Sequence, residues 1–303
     1  MSDEPGTYIV AEIGSNYDDD LGTAIDYVKA CKKAGADAVK FQTLSRETLI
    51  APRVLSGGKR VDHPGYGGFS NLCLSEEWHH ELKKTSDEVG IDFFSTPFYI
   101  EAVELLERVG VETYKIASGD ITFYPLLKKI GETGKRVIMS SGGSSIEDVE
   151  KALDVLRGAG AKDITLLHCV ANYPPEWDEM NVRAVATLKE TFDLPVGISD
   201  HTPGSLLAIA SVAIGGTCIE KHVTFDRSLD GPDHPFSMTI PEFTEMIEQI
   251  RLLERALGTG DKVPSVSEQA KQHRMRRGVY DPATFEPREG SDGLWLRPTA
   301  VEF

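Results

Sequence analysis

Two runs, Gly197-Ile198-Ser199-Asp200-His201-Thr202 and Ile219-Glu220-Lys221-His222, decide how this chain is read. Each begins apolar and strand-like and ends in a histidine close to acidic residues, a poor pattern for a plain core strand. Side chains alternate along a strand, so Ser199 shares a face with His201, and Glu220 with His222. As parallel neighbours about 4.8 Å apart, the two strands can bring both imidazoles onto one ion. Two imidazoles with water and a carboxylate suit Mn²⁺, Zn²⁺, Co²⁺ or Fe²⁺ better than Mg²⁺. A pair of hydrogen-bonded histidines without metal is the alternative.

Outward from these runs, short β-like segments alternate with amphipathic helical ones. Strands are predicted over 7–13, 37–42, 91–96, 113–118, 136–141, 163–169, 195–199 and 217–222. Helices are predicted over 22–34, 76–89, 99–110, 124–133, 146–158, 181–191, 203–214 and 240–257. Ser75 and Ser145 stand where N-caps belong, and Gly90, Gly110 and Gly160 where helices should stop. Eight β/α repeats predict an α/β fold, a (β/α)8 TIM barrel over 1–258. An open doubly wound sheet is the weaker alternative, because no Gly-x-Gly-x-x-Gly follows the first strand. Segments 43–74 and 223–239 are long loops after strands, which in a barrel lie on the catalytic face; the first has the composition of a mobile lid. Composition predicts a linker over 259–275, and 276–303 is too short to own a core.

The 303 residues carry 32 Lys+Arg against 48 Asp+Glu, a formal charge of -16, which argues against nucleic acid or an anionic membrane as partner. The N-terminus has no basic stretch followed by an apolar run, and nothing approaches the roughly 20 apolar residues of a membrane span. Cys31, Cys73, Cys169 and Cys218 are widely spaced. Reduced thiols in a cytoplasmic protein are the expectation.

A barrel gathers its site from the C-terminal strand ends and the loops after them. Those positions hold Glu12, Lys40, Gln42, Thr96, Lys115, Ser118, Asp120, Ser140, Ser141, His168, Asn172, Tyr173, Ser199, His201, Glu220 and His222. Polar groups at one end of all eight runs predict a shared site. Two lysines with hydroxyls and loop N–H groups make a phosphate or carboxylate cradle. One lysine could instead form a Schiff base, as in class I aldolases. Glu12 and Asp120 read as acid-base or hydroxyl-binding groups, or as salt-bridge partners of the lysines. His168, inside an apolar strand, reads as a core histidine.

The motifs AEIGSN at 11–16, VKFQ at 39–42, STPF at 95–98, YKIASGD at 114–120, SSGGS at 140–144, HCVANYP at 168–174, GISDH at 197–201, EKH at 220–222 and GPDHPFSM at 231–238 run in a recognisable order. With them the chain resembles the sialic acid synthases, which condense phosphoenolpyruvate with N-acetylmannosamine or a related amino sugar. The resemblance covers nearly the whole barrel. It implies that His201 and His222 hold a divalent metal, Mn²⁺ first with Mg²⁺ or Co²⁺ as alternatives, with Glu12 handling the attacking water. It implies that Lys40, Thr96, Lys115, Ser118, Ser140 and Ser199 hold phosphoenolpyruvate, and that Gln42, Asp120, Tyr173 and Asp233 face the sugar. It further implies a homodimer, in which a C-terminal antifreeze-like domain lends an arginine to the partner's sugar site.

The chain departs from that pattern in three places. It has Val170 and Ala171 where the family pattern has TSAYP or TNIYP, so one phosphoenolpyruvate contact is missing at Ala171. Loop 43–74 has no clear counterpart of the family's sugar-binding asparagine, Asn71 being the candidate. The tail FEPREG at 285–290 and LWLRP at 294–298 resembles only the opening of the antifreeze-like domain, with Arg297 matching the donated arginine. A pyruvate-dependent sugar-acid aldolase and a non-catalytic sugar-binding barrel are the competing functions.

Overall fold

The computed structural model describes residues 6–64, 66 and 73–297. Eight strands form its centre: β1 (Tyr8–Glu12), β2 (Ala38–Thr43), β3 (Asp92–Pro97), β4 (Thr113–Ile116), β5 (Arg136–Ser140), β6 (Ile164–Cys169), β7 (Val196–Asp200) and β8 (Cys218–Thr224). Neighbours pair parallel in chain order, and β8 returns to β1 with His222 opposite Glu12, so the sheet closes. The helices α1 (Leu21–Ala34), α2 (Glu76–Val89), α3 (Ile100–Val109), α4 (Tyr124–Gly131), α5 (Ile146–Ala159), α6 (Ala184–Phe192), α7 (Leu206–Ala213) and α8 (Ile240–Leu257) alternate with them. This is the predicted (β/α)8 barrel.

The caps explain the helix limits. Ser75 accepts from Trp78 N, and Ser145 with Asp148 makes a reciprocal capping box. Gly90 and Gly110 close α2 and α3 at φ 72° and 82°, where a side chain would be strained. Helix α7 starts three residues later than its periodicity predicts, because the Pro203-Gly204 turn, with Gly204 at φ 75°, precedes it.

Period-two alternation then places the site. On one side of the strands Ile9, Val39, Phe41, Met139, Leu166, Ile198 and Ile219 pack in the main core with helix residues such as Tyr27, Leu82, Leu106, Leu153 and Phe243. On the other, Val10, Ala38, Phe94, Ile138, Leu167 and Cys218 form a separate buried cluster that fills the barrel. Two residues further along each of these strands come Glu12, Lys40, Thr96, Ser140, Cys169 and Glu220, all lining one cavity. The apolar plug is thus the base on which the polar ring stands, with Val10, Phe94, Ile138 and Leu167 each contributing roughly 1.5–3 kcal/mol by burial.

Loop 43–74 holds more order than its composition suggests. Residues Arg53–Ser56 and Lys59–Asp62 pair as an antiparallel hairpin around Gly57 and Gly58, whose φ of 56° and 76° suit a tight two-residue turn. Asn71, the candidate sugar contact, lies outside the described residues. Loop 223–239 is tied down by Asn16, whose Nδ2 donates to Val223 O (2.8 Å) and Ser237 Oγ (2.9 Å), and by buried His234, which bonds Thr224 Oγ1 (2.8 Å) and Asp18 Oδ1 (3.0 Å).

The chain divides into two compact units, 1–256 and 257–303. The second corrects one expectation: residues Val266–Met275, placed in a linker by composition, form helix α9, because Ser265 and Glu268 cap its N-terminus reciprocally. Gly278–Tyr280 then pairs antiparallel with Leu294–Leu296. Among the described residues no helix is long and apolar enough to cross a membrane.

Candidate active site

The polar strand ends open into one cavity of about 860 Å³. Its floor is a buried ion cluster built from β1, β2, β4 and β8. Lys40 Nζ lies 3.0 Å from Glu220 Oε1 and 3.3 Å from Glu12 Oε2. Gln42 Nε2 donates to Glu12 Oε1 at 2.7 Å, and Ser199 Oγ donates to Glu220 Oε1 at 3.0 Å. Lys115 Nζ donates to Ile116 O (2.9 Å) and Ser140 Oγ (2.5 Å) and stands 3.9 Å from Glu220.

Crowded charges out of water move these groups apart. Burial drives the Glu12 carboxyl up, and the Glu220 charge adds to this while Lys40 and Gln42 only partly oppose it. Burial also works against Glu220, yet Lys115 and Lys40 outweigh it and hold that carboxyl below the usual range. Burial pushes Lys115 down to about 8, against the pull of Glu220. Asp120, on the Ser118–Asp120 turn after β4, is pushed up to about 6 by burial with Lys115 opposing.

His201 and His222 stand at the ends of β7 and β8 with ring centroids 5.3 Å apart. His201 Nδ1 meets Val170 O at 3.3 Å, which leaves Nε2 uncommitted to that carbonyl. His222 Nδ1 is buried without a hydrogen-bond partner, 3.9 Å from Asp233 Oδ2. Burial, with the neighbouring His222, lowers His201 to about 3, and burial likewise lowers His222, so both rings are neutral bases at pH 7. Tyr173 packs 4.3 Å from His201 and Phe236 4.9 Å from His222, closing an apolar wall around the pair. Among the described residues no group of three or more His, Cys, Asp or Glu side chains is arranged around a metal position.

The NeuB family model matches residues 27–262. The chain belongs to the NeuB family. It is 38% identical to the N,N'-diacetyllegionaminic acid synthase of Campylobacter jejuni over 280 residues, 90% of this chain and 84% of the relative. It is 31% identical to the human N-acetylneuraminate-9-phosphate synthase over 277 residues, 90% of this chain and 77% of the relative. The crystal structure of the sialic acid synthetase of Leptospira borgpetersenii superposes with a TM-score of 0.81 at 31% identity, covering 88% of this chain and 90% of that one. The protein is therefore an enzyme of the carbon–carbon bond-forming synthase type.

Within this NeuB-family barrel, Glu12, Lys40, Gln42, Thr96, Lys115, Ser118, Asp120, Ser140, Tyr173, Ser199, His201, His222 and Asp233 all line the one cavity. Arg297 belongs to the second unit, where it is exposed directly after the Leu294–Leu296 strand. Two strand-end residues turn away: Asn172 is exposed and donates to Glu179 (3.0 Å), and Ser141 Oγ donates to Leu167 O (3.0 Å). His168 bonds Met180 O at 2.6 Å and lies outside the cavity. Two contributors, Ser15 and Phe236, escape a reading of strand ends alone. Ser15 donates through N (3.1 Å) and Oγ (2.9 Å) to Asp233 Oδ2, and a Cβ on neighbouring Gly14, at φ 56°, would come within 2.5 Å of that oxygen. Phe236 closes the histidine wall. Glu220 is gathered at its strand end without a role, and it ties Lys40, Lys115 and Ser199 together. The motif spellings AEIGSN and GPDHPFSM carry Ser15 and Phe236.

Proposed function

We propose that the protein condenses phosphoenolpyruvate with an N-acetylmannosamine-like amino sugar, giving a sialic acid-type nonulosonate and phosphate. The observation that carries the reading is the convergence of Lys40 and Lys115, four strand-end or turn hydroxyls and two neutral histidines in one cavity. The names of the synthases it resembles support the same chemistry.

Lys40, Lys115, Thr96, Ser118, Ser140 and Ser199 bind the phosphate and carboxylate of phosphoenolpyruvate, the lysines screening its charge as the enol approaches its partner. Thr96 Oγ1 is buried with no hydrogen-bond partner, a donor held ready for such an oxygen. Gln42, Asp120, Tyr173 and Asp233 orient the acceptor, and Arg297 of a swapped tail in a homodimer completes its pocket. C3 of phosphoenolpyruvate attacks the aldehyde carbon of the open-chain sugar. Water adds to C2, Glu12 takes the water's proton, and phosphate leaves by C–O cleavage.

The donor set fits a divalent metal, Mn²⁺ before Mg²⁺ or Co²⁺, held by His201 and His222. The orphaned Nδ1 of His222 and the neutrality of both rings are what such an ion requires. When bound, the ion supplies Lewis acidity toward the aldehyde oxygen. A cytoplasmic setting accords with the biosynthetic role.

The test supplies phosphoenolpyruvate, N-acetylmannosamine and Mn²⁺, and follows phosphate and product mass. Phosphate released in step with a nonulosonate supports the reading, and His222→Ala should abolish that release. Pyruvate consumption with an imine trapped by borohydride would replace it with the aldolase; full activity in metal-stripped His222→Ala would remove the metal.

A further inference from the structure

We infer that Lys221 and Asp200 are positioning residues, a buried clamp that sets His201 against His222 from the face of the sheet turned away from the cavity. The inference deepens the metal reading above and rests on it only where it speaks of the ion.

The two histidines are not held alike. His222 lies inside β8, which runs on to Thr224, and it stands opposite Glu12 in the ladder to β1. His201 lies directly past the end of β7, and the β7–β8 ladder stops with Asp200 opposite Lys221. The sheet therefore fixes the backbone of one ring and releases that of the other where the two must meet. The clamp bridges this gap. Lys221 Nζ donates to Asp200 Oδ2 (2.7 Å), just before His201, and to Thr202 O (2.5 Å), just after it. Asp200 Oδ1 accepts from Thr202 N (2.9 Å) and Oγ1 (2.7 Å), closing the turn around His201. Both chain neighbours of His201 are thus tied to the chain neighbour of His222. Lys221, Asp200 and Thr202 are all buried, so these bonds act out of water, where they are stronger.

Removing one partner of a buried ion pair is costly, whereas exchanging the whole pair for apolar side chains of similar volume is often neutral. Direction is what only the charged pair supplies. A site needs its ligating groups held within about 0.5 Å of the productive geometry by the residues packed behind them. Positioning and stability can therefore be separated by experiment.

The native protein is compared with Asp200→Leu/Lys221→Met, and with Thr202→Val, which keeps the ion pair and removes one bond of the turn. Mn²⁺ is titrated calorimetrically into each metal-free protein without substrate, and each metal-free protein is crystallised. The double variant should unfold near the native urea midpoint yet bind Mn²⁺ ~10–100-fold more weakly, the cost of losing the support behind a metal ligand. Thr202→Val should weaken binding by ~3–10-fold, the scale of one hydrogen bond. In metal-free crystals of the double variant His201 should move by roughly 0.5 Å or more from its 5.3 Å ring spacing, with His222 in place. Native Mn²⁺ affinity in a stably folded double variant overturns the inference, and so does native affinity in Thr202→Val where the double variant does not fold. A native protein that binds no Mn²⁺ removes the metal reading, and the clamp is then judged on the metal-free crystals of the same variants. A displaced His201 beside a fixed His222 supports it there, and an unmoved His201 overturns it.

Discussion

Lys221 and Lys40 lie two strands apart in the closed sheet and are almost equally hidden, at 1% and 5% exposed, yet their surroundings differ in kind. Lys221 Nζ donates to Asp200 Oδ2 (2.7 Å) and Thr202 O (2.5 Å), while Asp200 Oδ1 accepts from Thr202 N (2.9 Å) and Oγ1 (2.7 Å). Neither Lys221 nor Asp200 has a buried side-chain atom left unpartnered. In the cavity, by contrast, Glu220 Oε2, Thr96 Oγ1, Asp120 Oδ2 and His222 Nδ1 are buried without hydrogen-bond partners. Each such group costs about 1–3 kcal/mol in the folded state. Residues 220, 221 and 222 show the division on a single strand: Glu220 and His222 line the cavity and Lys221 does not. One face of β8 closes its own polar contacts and stabilises the barrel, and the other leaves them open for a ligand to complete.

The largest expected effect separates the two lysines. Lys221→Met leaves Asp200 buried without its cation and should cost about 3–5 kcal/mol of stability, read from the urea midpoint. Lys40→Met should cost less than about 2 kcal/mol in the same measurement, because Lys115 still faces Glu220 and Glu12 is already biased toward its neutral form. Its loss should appear instead in kcat/KM for phosphoenolpyruvate, on the order of 10²–10³-fold for a removed buried charge contact. Equal stability losses in the two variants would erase the contrast between the faces.

The close approach of β7 and β8 supports both clusters and can be tested at Gly197. A Cβ there would stand 1.8 Å from Cys218 O, closer than any backbone shift absorbs cheaply. Gly197→Ala should therefore lose about 3 kcal/mol of stability. Gly158 in α5 has nothing within 4 Å of a built Cβ and an ordinary helical φ. Gly158→Ala should gain roughly 0.5–1 kcal/mol, so opposite signs from the same substitution would locate the constraint in strand packing.

What the sequence made legible follows from periodicity. Alternation fixed which of residues 197–202 and 218–222 share a face, and the strand-end rule gathered Lys40, Lys115, Ser199, His201 and Glu220 before any fold was known. Loop partners were harder to read. Ser15 reaches Asp233 across 218 positions of chain, and no local pattern encodes such a pairing. The outward ion pair was equally hidden, since GISDH and EKH show Asp200 and Lys221 but not the register that sets them opposite each other. The misread linker is the reverse case: Ser265 and Glu268 form a capping box visible in the sequence, outweighed there by a polar, low-periodicity composition.

The smallest expected effect is on pH dependence, and it distinguishes the faces once more. Lys115, pushed down to about 8 by burial, is cationic below that value and neutral above it. Its charge is needed to receive the anionic substrate, so kcat/KM for phosphoenolpyruvate should fall by about tenfold per pH unit beyond the free enzyme's alkaline limb near pH 8. Lys221 is also lowered by burial, but Asp200 holds it away from the cavity, and its titration should leave that limb in place. Lys115→Arg keeps the charge to far higher pH, at some loss of fit to Ser140 and Ile116. Its profile should stay flat through the region where the native enzyme declines, whatever its absolute rate. A limb near pH 8 that survives in Lys115→Arg would assign the titration to another group and remove Lys115 as the cation that limits substrate capture.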